Sequence, residues 1–144
     1  MTINKIISAF VKQLKKYFDC KVYKTEIPQM LKKPSFYVEL AKLEFKRMVG
    51  LNRLYELYVS VTFFSSETVN KNMEYNEILQ TISENFDYLQ TEDRVLHLNL
   101  ITQDKNDRDD ALVFLFKLNI HARKEIERAE NMEKIEVYTN VEND

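Results

Sequence analysis

The sequence predicts an α+β domain: a mixed or antiparallel sheet of about four to five strands flanked by two helices. Two stretches, residues 3–18 and 73–89, repeat apolar residues at the three-to-four spacing of amphipathic helices. Other stretches alternate apolar and polar residues, as half-buried strands do. These alternating stretches are residues 35–44, 53–65, 94–101 and 111–122. With a short strand at 21–23, the predicted order is α-β-β-β-α-β-β.

The first helix has the clearest pattern. Thr2 is placed to cap its N-terminus, because a threonine hydroxyl can accept a hydrogen bond from the first turn. Lys12, Lys15 and Lys16 come late in the helix, where cations oppose the negative end of the helix dipole. We interpret these lysines as a solvated face, with an anion-binding patch as the weaker alternative.

A hairpin follows the short strand Lys21–Tyr23 and a loop over residues 25–34, in which Pro28 and Pro34 disfavour regular pairing. The hairpin connection contains the lone glycine, so we expect positive φ at Gly50 or Asn52. The second strand carries apolar residues on both faces. One face therefore enters the core, and the other needs a helix or a partner to cover it.

The second helix begins after capping candidates Ser65, Ser66 or Asn70 and is predicted to run to Leu89. The last predicted hairpin points Leu96, Leu98 and Leu100 inward and turns through the acidic residues 103–110. With a single glycine in the chain, Asn and Asp must supply the special backbone conformations of such turns.

The length predicts one domain over residues 1–122, followed by a charged C-terminal segment over residues 123–144. That segment recovers alternation in Ile135–Val141, and is either an edge strand or an arm that orders on a neighbouring subunit.

Composition excludes several classes of chemistry. One glycine, where average usage predicts about ten, leaves no phosphate-binding loop, dinucleotide-binding turn or nucleophile elbow. The longest apolar run, Ala111–Phe116, is far too short to cross a bilayer. The lone Cys20 cannot form an intrachain disulfide, and residues 1–10 lack the basic-apolar-small order of a secretory signal, so we expect a cytosolic chain. A net charge of −2 gives no general affinity for nucleic acid.

No residue pattern predicts a catalytic, cofactor or metal site. His97 and His121 fall on the outward phase of their strands, and we interpret them as surface or interface residues. Cys20 has no nearby partner that would make it a nucleophile. The aspartates of residues 104–110 lack the glycine and closing glutamate of a calcium-binding loop.

The chain resembles the small tail terminator proteins of phages, prophages and tail-like bacteriocins of Gram-positive bacteria. The resemblance rests on the element order and on local sequence across nearly the whole chain. The matching segments are Leu14-Lys-Lys-Tyr-Phe18, Val22-Tyr-Lys-Thr-Glu-Ile-Pro-Gln29, Lys33-Pro-Ser-Phe-Tyr-Val-Glu-Leu40, Tyr55-Glu-Leu-Tyr-Val-Ser-Val-Thr-Phe-Phe-Ser65 and Met132-Glu-Lys-Ile-Glu-Val137.

The resemblance implies a non-enzymatic assembly protein without cofactors that caps the tail tube as a homo-hexameric ring, ends tube polymerisation and forms the neck-side interface. Implied partners are further copies of the chain, the tail tube protein, and the sheath and neck or head-completion proteins, with no membrane and no nucleic-acid sequence recognition. Its place is the virion or tail-like particle, assembled in the host cytoplasm. The alternatives are a head-to-tail connector, which tends toward twelve copies, and a small nucleic-acid-binding protein or enzyme of a mobile element.

The charge along the chain suggests how such a ring would assemble. Residues 1–33 carry eight lysines against two acids, whereas residues 66–110 carry four basic and eleven acidic side chains. We hypothesise that the basic first helix of one subunit lies near the acidic region of the next. The candidate subunit or tube interface comprises Lys12, Lys15, Lys16, Arg47, Met48, Val49, Gly50, Tyr55, Tyr58, Asp107, Asp109 and Asp110.

Overall fold

The computed structural model describes residues 2–24, 29, 31–66, 70–106 and 108–123. It confirms the α+β class, with two helices and a five-stranded mixed sheet. The elements are α1 (Ile3–Tyr17), β1 (Lys21–Tyr23), β2 (Ser35–Arg47), β3 (Asn52–Phe64), α2 (Lys71–Asn85), β4 (Tyr88–Gln90), β5 (Val95–His97), β6 (Asn99–Asn106) and β7 (Ala111–Arg123).

The large sheet has the strand order β1-β2-β3-β7-β6. Only β1 and β2 run parallel, and every other neighbouring pair is antiparallel. Strands β2, β3 and β7 each have 13 residues, so they extend about 40 Å. Pairing with β1 covers β2 only through Tyr37, so among the described residues the rest of that edge and the outer edge of β6 have no strand partner.

Helix α1 begins and ends as its sequence predicts. The Thr2 hydroxyl accepts a hydrogen bond from the Lys5 N–H at 3.2 Å, and the Phe18 N–H donates to the Leu14 carbonyl at 2.8 Å. The buried stripe lies toward the sheet, while Lys15 and Lys16 occupy the last turn. The cap and the lysines thus satisfy opposite ends of the same dipole.

Both helices pack on one face of the large sheet, which we call the inner face. The Phe10 ring of α1 and the Phe86 ring at the end of α2 lie 5.6 and 6.2 Å from the Phe116 ring. Further along α2, Tyr75 contacts Phe63 edge-on. No described helix covers the opposite, outer face, where Tyr58 and Phe64 remain half-buried. Of the two covers that the sequence predicts for this face, a helix is therefore absent among the described residues, and a partner remains a prediction.

Helix α2 is shorter than the sequence predicts. It ends at Asn85 rather than Leu89, because residues 88–90 pair with residues 95–97 in a separate two-stranded sheet. The Leu98 N–H donates to the Asp87 carbonyl at 2.8 Å and fixes this chain reversal. Leu89 is buried as predicted, but in a strand rather than in a helix.

The last hairpin also differs from its prediction. What the sequence predicts as one strand over residues 94–101 is two, and β6 continues to Asn106, so the turn is confined to the residues before Ala111. Leu96 and Leu98 are buried, but Leu100 is 39% exposed. Leu100 pairs with Phe116 on the inward phase, yet it lies on an edge strand just before an irregularity in the register. Leu100 stays exposed because an edge strand has a neighbouring strand on one side only.

Two predicted segments lie wholly or partly outside the described residues. The charged segment after residue 123, with its alternative edge strand or arm, is one of them, and the loop over residues 25–34 is the other. The division into a domain over 1–122 and a C-terminal segment remains a prediction, and β7 runs to Arg123.

Candidate interaction surfaces

The β2–β3 hairpin extends beyond the helix layer. On the inner face, Leu57 is only 2% exposed, whereas Leu43, which pairs with it, is 41% exposed, and Phe45 beyond it is 47% exposed. We call residues 42–55 the distal hairpin. Its inner side is a row of apolar side chains that no described helix covers, which is the kind of exposed patch that marks an interface.

A register irregularity makes this row possible. Phe36, Val38 and Leu40 point inward from even positions, and the register then shifts between Leu40 and Lys42. After that bulge the inward phase moves to odd positions, so Leu43 and Phe45 face the same side as Leu40. The bulge therefore keeps apolar residues on the inner side along the whole strand.

The tip of the distal hairpin is a tight turn. The Met48 N–H donates to the Asn52 carbonyl at 3.0 Å, and the Asn52 N–H donates to the Val49 carbonyl at 3.3 Å. Gly50 has a φ of +70°, so the expectation of positive φ is met by the glycine. Val49 is 88% exposed, and Met48 is 46% exposed. Two apolar side chains thus project at the end of the molecule.

Aromatic and cationic groups stiffen the hairpin. The Phe45 and Tyr55 rings, opposite each other on paired strands, lie 5.1 Å apart. The Arg53 guanidinium lies 6.0 Å from the Phe45 ring, and it donates to the Asn52 carbonyl at 3.0 Å. Such cross-strand pairs hold a projecting hairpin in one conformation.

The outer side of the hairpin carries an ion-pair cluster around Glu56. Its carboxylate oxygens lie 3.5 Å from the Lys46 ammonium and 3.3 Å from that of Lys117, and the Glu56 side chain is only 11% exposed. Lys117 and Lys42 also lie over the Tyr58 ring, at 5.6 and 5.5 Å. The cluster ties together β2, β3 and β7 where the sheet leaves the helix layer.

These contacts set the ionisation of Glu56. Burial by itself raises the pKa of Glu56, but the hydrogen bond and charge of Lys117, followed by those of Lys46, outweigh it, so the pKa lies below the ordinary 4.5. In return, the pKa of Lys117 is raised above 10.5, chiefly because its ammonium donates a hydrogen bond to the Glu56 carboxylate. Both groups are thus charged at neutral pH.

Glu56→Gln is expected to lower the melting temperature at pH 7, because Lys46 and Lys117 lose their shared anion. A carboxylate whose folded pKa is depressed contributes stability that is present above its unfolded pKa and lost as pH falls through the folded pKa. The difference between wild type and variant should therefore shrink below about pH 4.5. Thermal unfolding followed by circular dichroism from pH 7 to pH 3 measures it.

Glu44→Gln is the control for this pH series. Glu44 pairs with Lys42 at 3.3 Å, but its side chain is 42% exposed, and exposed ion pairs contribute little. Glu44→Gln should thus leave the melting temperature at pH 7 nearly unchanged. An equal effect of the two substitutions at every pH would show that the Glu56 cluster is not a special feature of the fold.

A groove of about 1040 Å³ runs between α1 and the segment from the end of α2 to β5. We call it the α1 groove. The Gln13 amide donates to the carbonyls of Asn85, at 3.3 Å, and Tyr88, at 2.9 Å, and so joins the two walls. The charged lining residues are Lys5, Lys12, Lys16, Glu84, Asp87, Glu92 and Asp93.

The α1 groove also contains exposed apolar groups. Tyr17 is 37%, Tyr88 59% and Val95 57% exposed, and all three line the groove. The Tyr17 ring rests on Phe86 at 5.9 Å, and the Tyr88 ring contacts His97 at 5.4 Å. The groove thus has exposed apolar side chains between a basic and an acidic wall. This mixed lining is better suited to binding a protein surface than a small ion.

The β6–β7 turn lies at the opposite end of the sheet from the distal hairpin, since Phe64 pairs with Ala111 and Asn52 with Arg123. Asp110 has a φ of 51°, so an aspartate supplies the positive φ of this turn. Its carboxylate lies 2.6 Å from the Lys71 ammonium, whose hydrogen bond and charge lower the pKa of Asp110 below the ordinary 3.8. Asp110 therefore fastens the turn to α2 within one chain.

The structure brings together part of the predicted interface. Arg47, Met48, Val49, Gly50 and Tyr55 all belong to the distal hairpin, and Tyr58 lies on its outer side. The remaining predicted interface residues lie elsewhere: Lys12 and Lys16 line the α1 groove, Lys15 is exposed, Asp109 and Asp110 form the distant turn, and Asp107 lies outside the described residues.

Sequence reasoning missed Leu43 and Phe45. The change from apolar residues at even positions to apolar residues at odd positions after Leu40 was the signal that could have found them. It also missed the α1 groove, which three lysines of α1 line together with Glu84 and Asp87 of the same chain. Whether the lysines also meet an acidic region of another copy stays a prediction.

The other candidate groups are accounted for by their surroundings. His97 and His121 are exposed, as their strand phase predicts. Among the described residues, no three histidine, cysteine or acidic side chains lie together in a way that could hold a metal ion. Neither helix of the described part is long and apolar enough to cross a membrane.

Cys20 is a half-buried thiol beside the core. Its pKa is raised from 9.0 to about 11, mainly by burial and further by the negative charges of Asp19 and Glu74. A thiolate is therefore strongly disfavoured at neutral pH, which argues against a role as nucleophile.

We expect Cys20 in the folded chain to react about tenfold more slowly with an aromatic disulfide reagent at pH 8 than in the urea-unfolded chain. The raised pKa lowers the thiolate fraction about 100-fold, and the greater nucleophilicity of a more basic thiolate recovers about tenfold. Stopped-flow absorbance gives both rates. Equal rates would mean that neither burial nor the two carboxylates restrain the thiol.

Comparison with known proteins agrees with the resemblance seen in the sequence. A family model described as "Phage tail terminator protein" matches residues 5–130, which is most of the 144-residue chain. Comparison with the curated proteins finds no match. The family indicates a structural rather than an enzymatic role, association with the virion and contact with other phage tail proteins. The chain belongs to the phage tail terminator family, and its role is a structural one in the assembly of a phage tail.

Proposed function

We propose that the chain closes the tail tube. In this proposal it forms a homo-hexameric ring, binds the last ring of the tail tube, stops polymerisation and presents the neck-side surface. The tail tube protein is the principal partner, the sheath and the neck or head-completion protein are further partners, and assembly takes place in the host cytoplasm. The observation that carries the proposal is the family match over residues 5–130.

The shape of the chain supports a ring of identical copies. Its exposed surfaces are unlike one another: an apolar hairpin at one end of the sheet, an acidic turn at the other and a groove on the helix layer. Surfaces that do not match themselves favour head-to-tail contacts, and head-to-tail contacts close into rings when the rotation fits. Among the described residues, the edge of β2 beyond Tyr37 and the outer edge of β6 have no strand partner, and they add further places for contact.

A capping assay tests the proposal. Purified chain is added to polymerising tail tube protein from the same particle, and tube lengths and ends are measured by negative-stain electron microscopy. We expect shorter tubes with additional density at one end, and a ring mass near six times 17.3 kDa by light scattering. Unchanged tube lengths with bare ends would refute capping, and a mass near about twelve copies would favour a portal-side connector.

A further inference from the structure

Exposed large apolar residues gather in two main patches of the described chain. Leu43, Phe45, Met48 and Val49 form one patch on the distal hairpin. Tyr17, Tyr88 and Val95 form the other, in the α1 groove. The first patch is convex and projects from the molecule, whereas the second is concave. The packing of the described residues within one copy accounts for neither patch.

We propose that the distal hairpin of one copy docks in the α1 groove of the next copy. This inference rests on the proposed ring, and it names the two surfaces that build it. The occupant of the groove is thus a second copy of this chain, and each copy is both donor and acceptor of a hairpin. The contact is heterologous, so repetition produces a ring or an open chain rather than an isolated dimer.

Size and chemistry support this pairing. At about 1040 Å³ the groove is as large as the bigger pockets for organic ligands, so it has room for several side chains of a hairpin tip. Met48 and Val49, which are exposed in a single copy, would pack against the exposed side chains of Tyr88 and Val95. Aromatic and methionine side chains are the residues most enriched in the centres of such contacts.

The charges of the distal hairpin and of the α1 groove also support this pairing. The distal hairpin carries four basic side chains and one acidic one, of which Lys42 pairs with Glu44 and Lys46 with Glu56 on the outer side. The groove carries four acidic side chains against three lysines, and the β4–β5 region supplies Glu92 and Asp93 at its rim. A basic hairpin is electrostatically complementary to the acidic wall of the groove but not to the lysines of the opposite wall, so charge favours docking of the hairpin along the acidic wall.

Disulfide cross-linking tests the docking directly. In a Cys20→Ala background, Val49→Cys on the hairpin is combined with Val95→Cys in the groove. Both valines are more than half exposed, so the substitutions leave the core intact. The control combines Val49→Cys with Thr102→Cys, which lies on the exposed β6 edge outside the groove. Oxidised samples run on non-reducing gels, and light scattering of the reduced samples gives the ring mass independently.

We expect the hairpin–groove variant to give a ladder of covalent oligomers up to the size of the ring, and mixed single-cysteine variants to give only dimers. A ring of normal mass without the ladder would overturn the docking and leave the ring proposal standing. A ladder from the Thr102→Cys control alone would assign the contact to the sheet edge. A strict monomer that gives no ladder, even on tail tubes, would overturn both proposals.

Discussion

Phe116→Ala is expected to lower the free energy of unfolding by about 3–5 kcal/mol. Phe116 is fully buried, and its ring contacts Phe10 of α1, Phe86 at the end of α2 and Phe114 of its own strand, at 5.6, 6.2 and 6.4 Å. Removing the ring leaves a cavity where both helices meet the sheet. Since domains of this size are stable by only about 5–15 kcal/mol, the variant would approach the unfolding threshold.

Leu115→Ala is the matched control for this substitution. Leu115 is the next residue along β7, but it lies on the outer face and is half-buried. We expect Leu115→Ala to lower the free energy of unfolding by about 1 kcal/mol. Urea unfolding followed by circular dichroism suits a chain without tryptophan. Equal losses for both substitutions would mean that the two faces of the sheet are buried alike, contrary to the placement of both helices on the inner face.

The elements that could be predicted from the sequence are those with long, uniform patterns. Helix α1 has four turns of apolar repeats with a threonine cap, and β3 and β7 alternate over 13 residues, so local pattern and tertiary environment agree. Gly50 was predictable for the same reason, because one glycine between two alternating stretches has few alternatives.

The small sheet β4–β5 was not predictable. Its strands have three residues each, and the spacing of three between Phe86 and Leu89 continues the helical pattern rather than the alternation of a strand. The strand is favoured by tertiary contacts. Leu89 and Leu96 are both buried, and the Leu98 N–H donates a hydrogen bond to the Asp87 carbonyl. The α1 groove depends on this small sheet, so no local pattern could reveal it.

The distal hairpin lies between these cases. Its tip residues could be selected from the sequence because they surround the lone glycine. Its apolar inner row depends on how far the helix layer reaches along the sheet, and this follows from the packing of α1 and α2, which no strand pattern contains.

Phe45→Asp combined with Val49→Asp is expected to abolish ring formation and capping while the subunit stays folded. Single interface residues in packed centres contribute about 2 kcal/mol or more, equivalent to roughly a 30-fold change in affinity, and a buried unpaired charge costs more than a truncation. Val49 is 88% exposed and so makes few contacts in its own chain, and Phe45 packs chiefly on Tyr55. We therefore expect the free energy of unfolding to fall by only about 1 kcal/mol.

Met73→Asp provides the matched control. Met73 is a 66% exposed apolar residue in the first turn of α2, outside both the distal hairpin and the lining of the α1 groove, and an added acid is favourable at a helix N-terminus. Light scattering and the tube-length assay are applied to both variants. If the hairpin variant formed rings and capped tubes as well as the Met73 variant, the exposed apolar row would have no part in assembly. If only the hairpin variant fails, assembly depends on a feature that a single folded copy leaves uncovered.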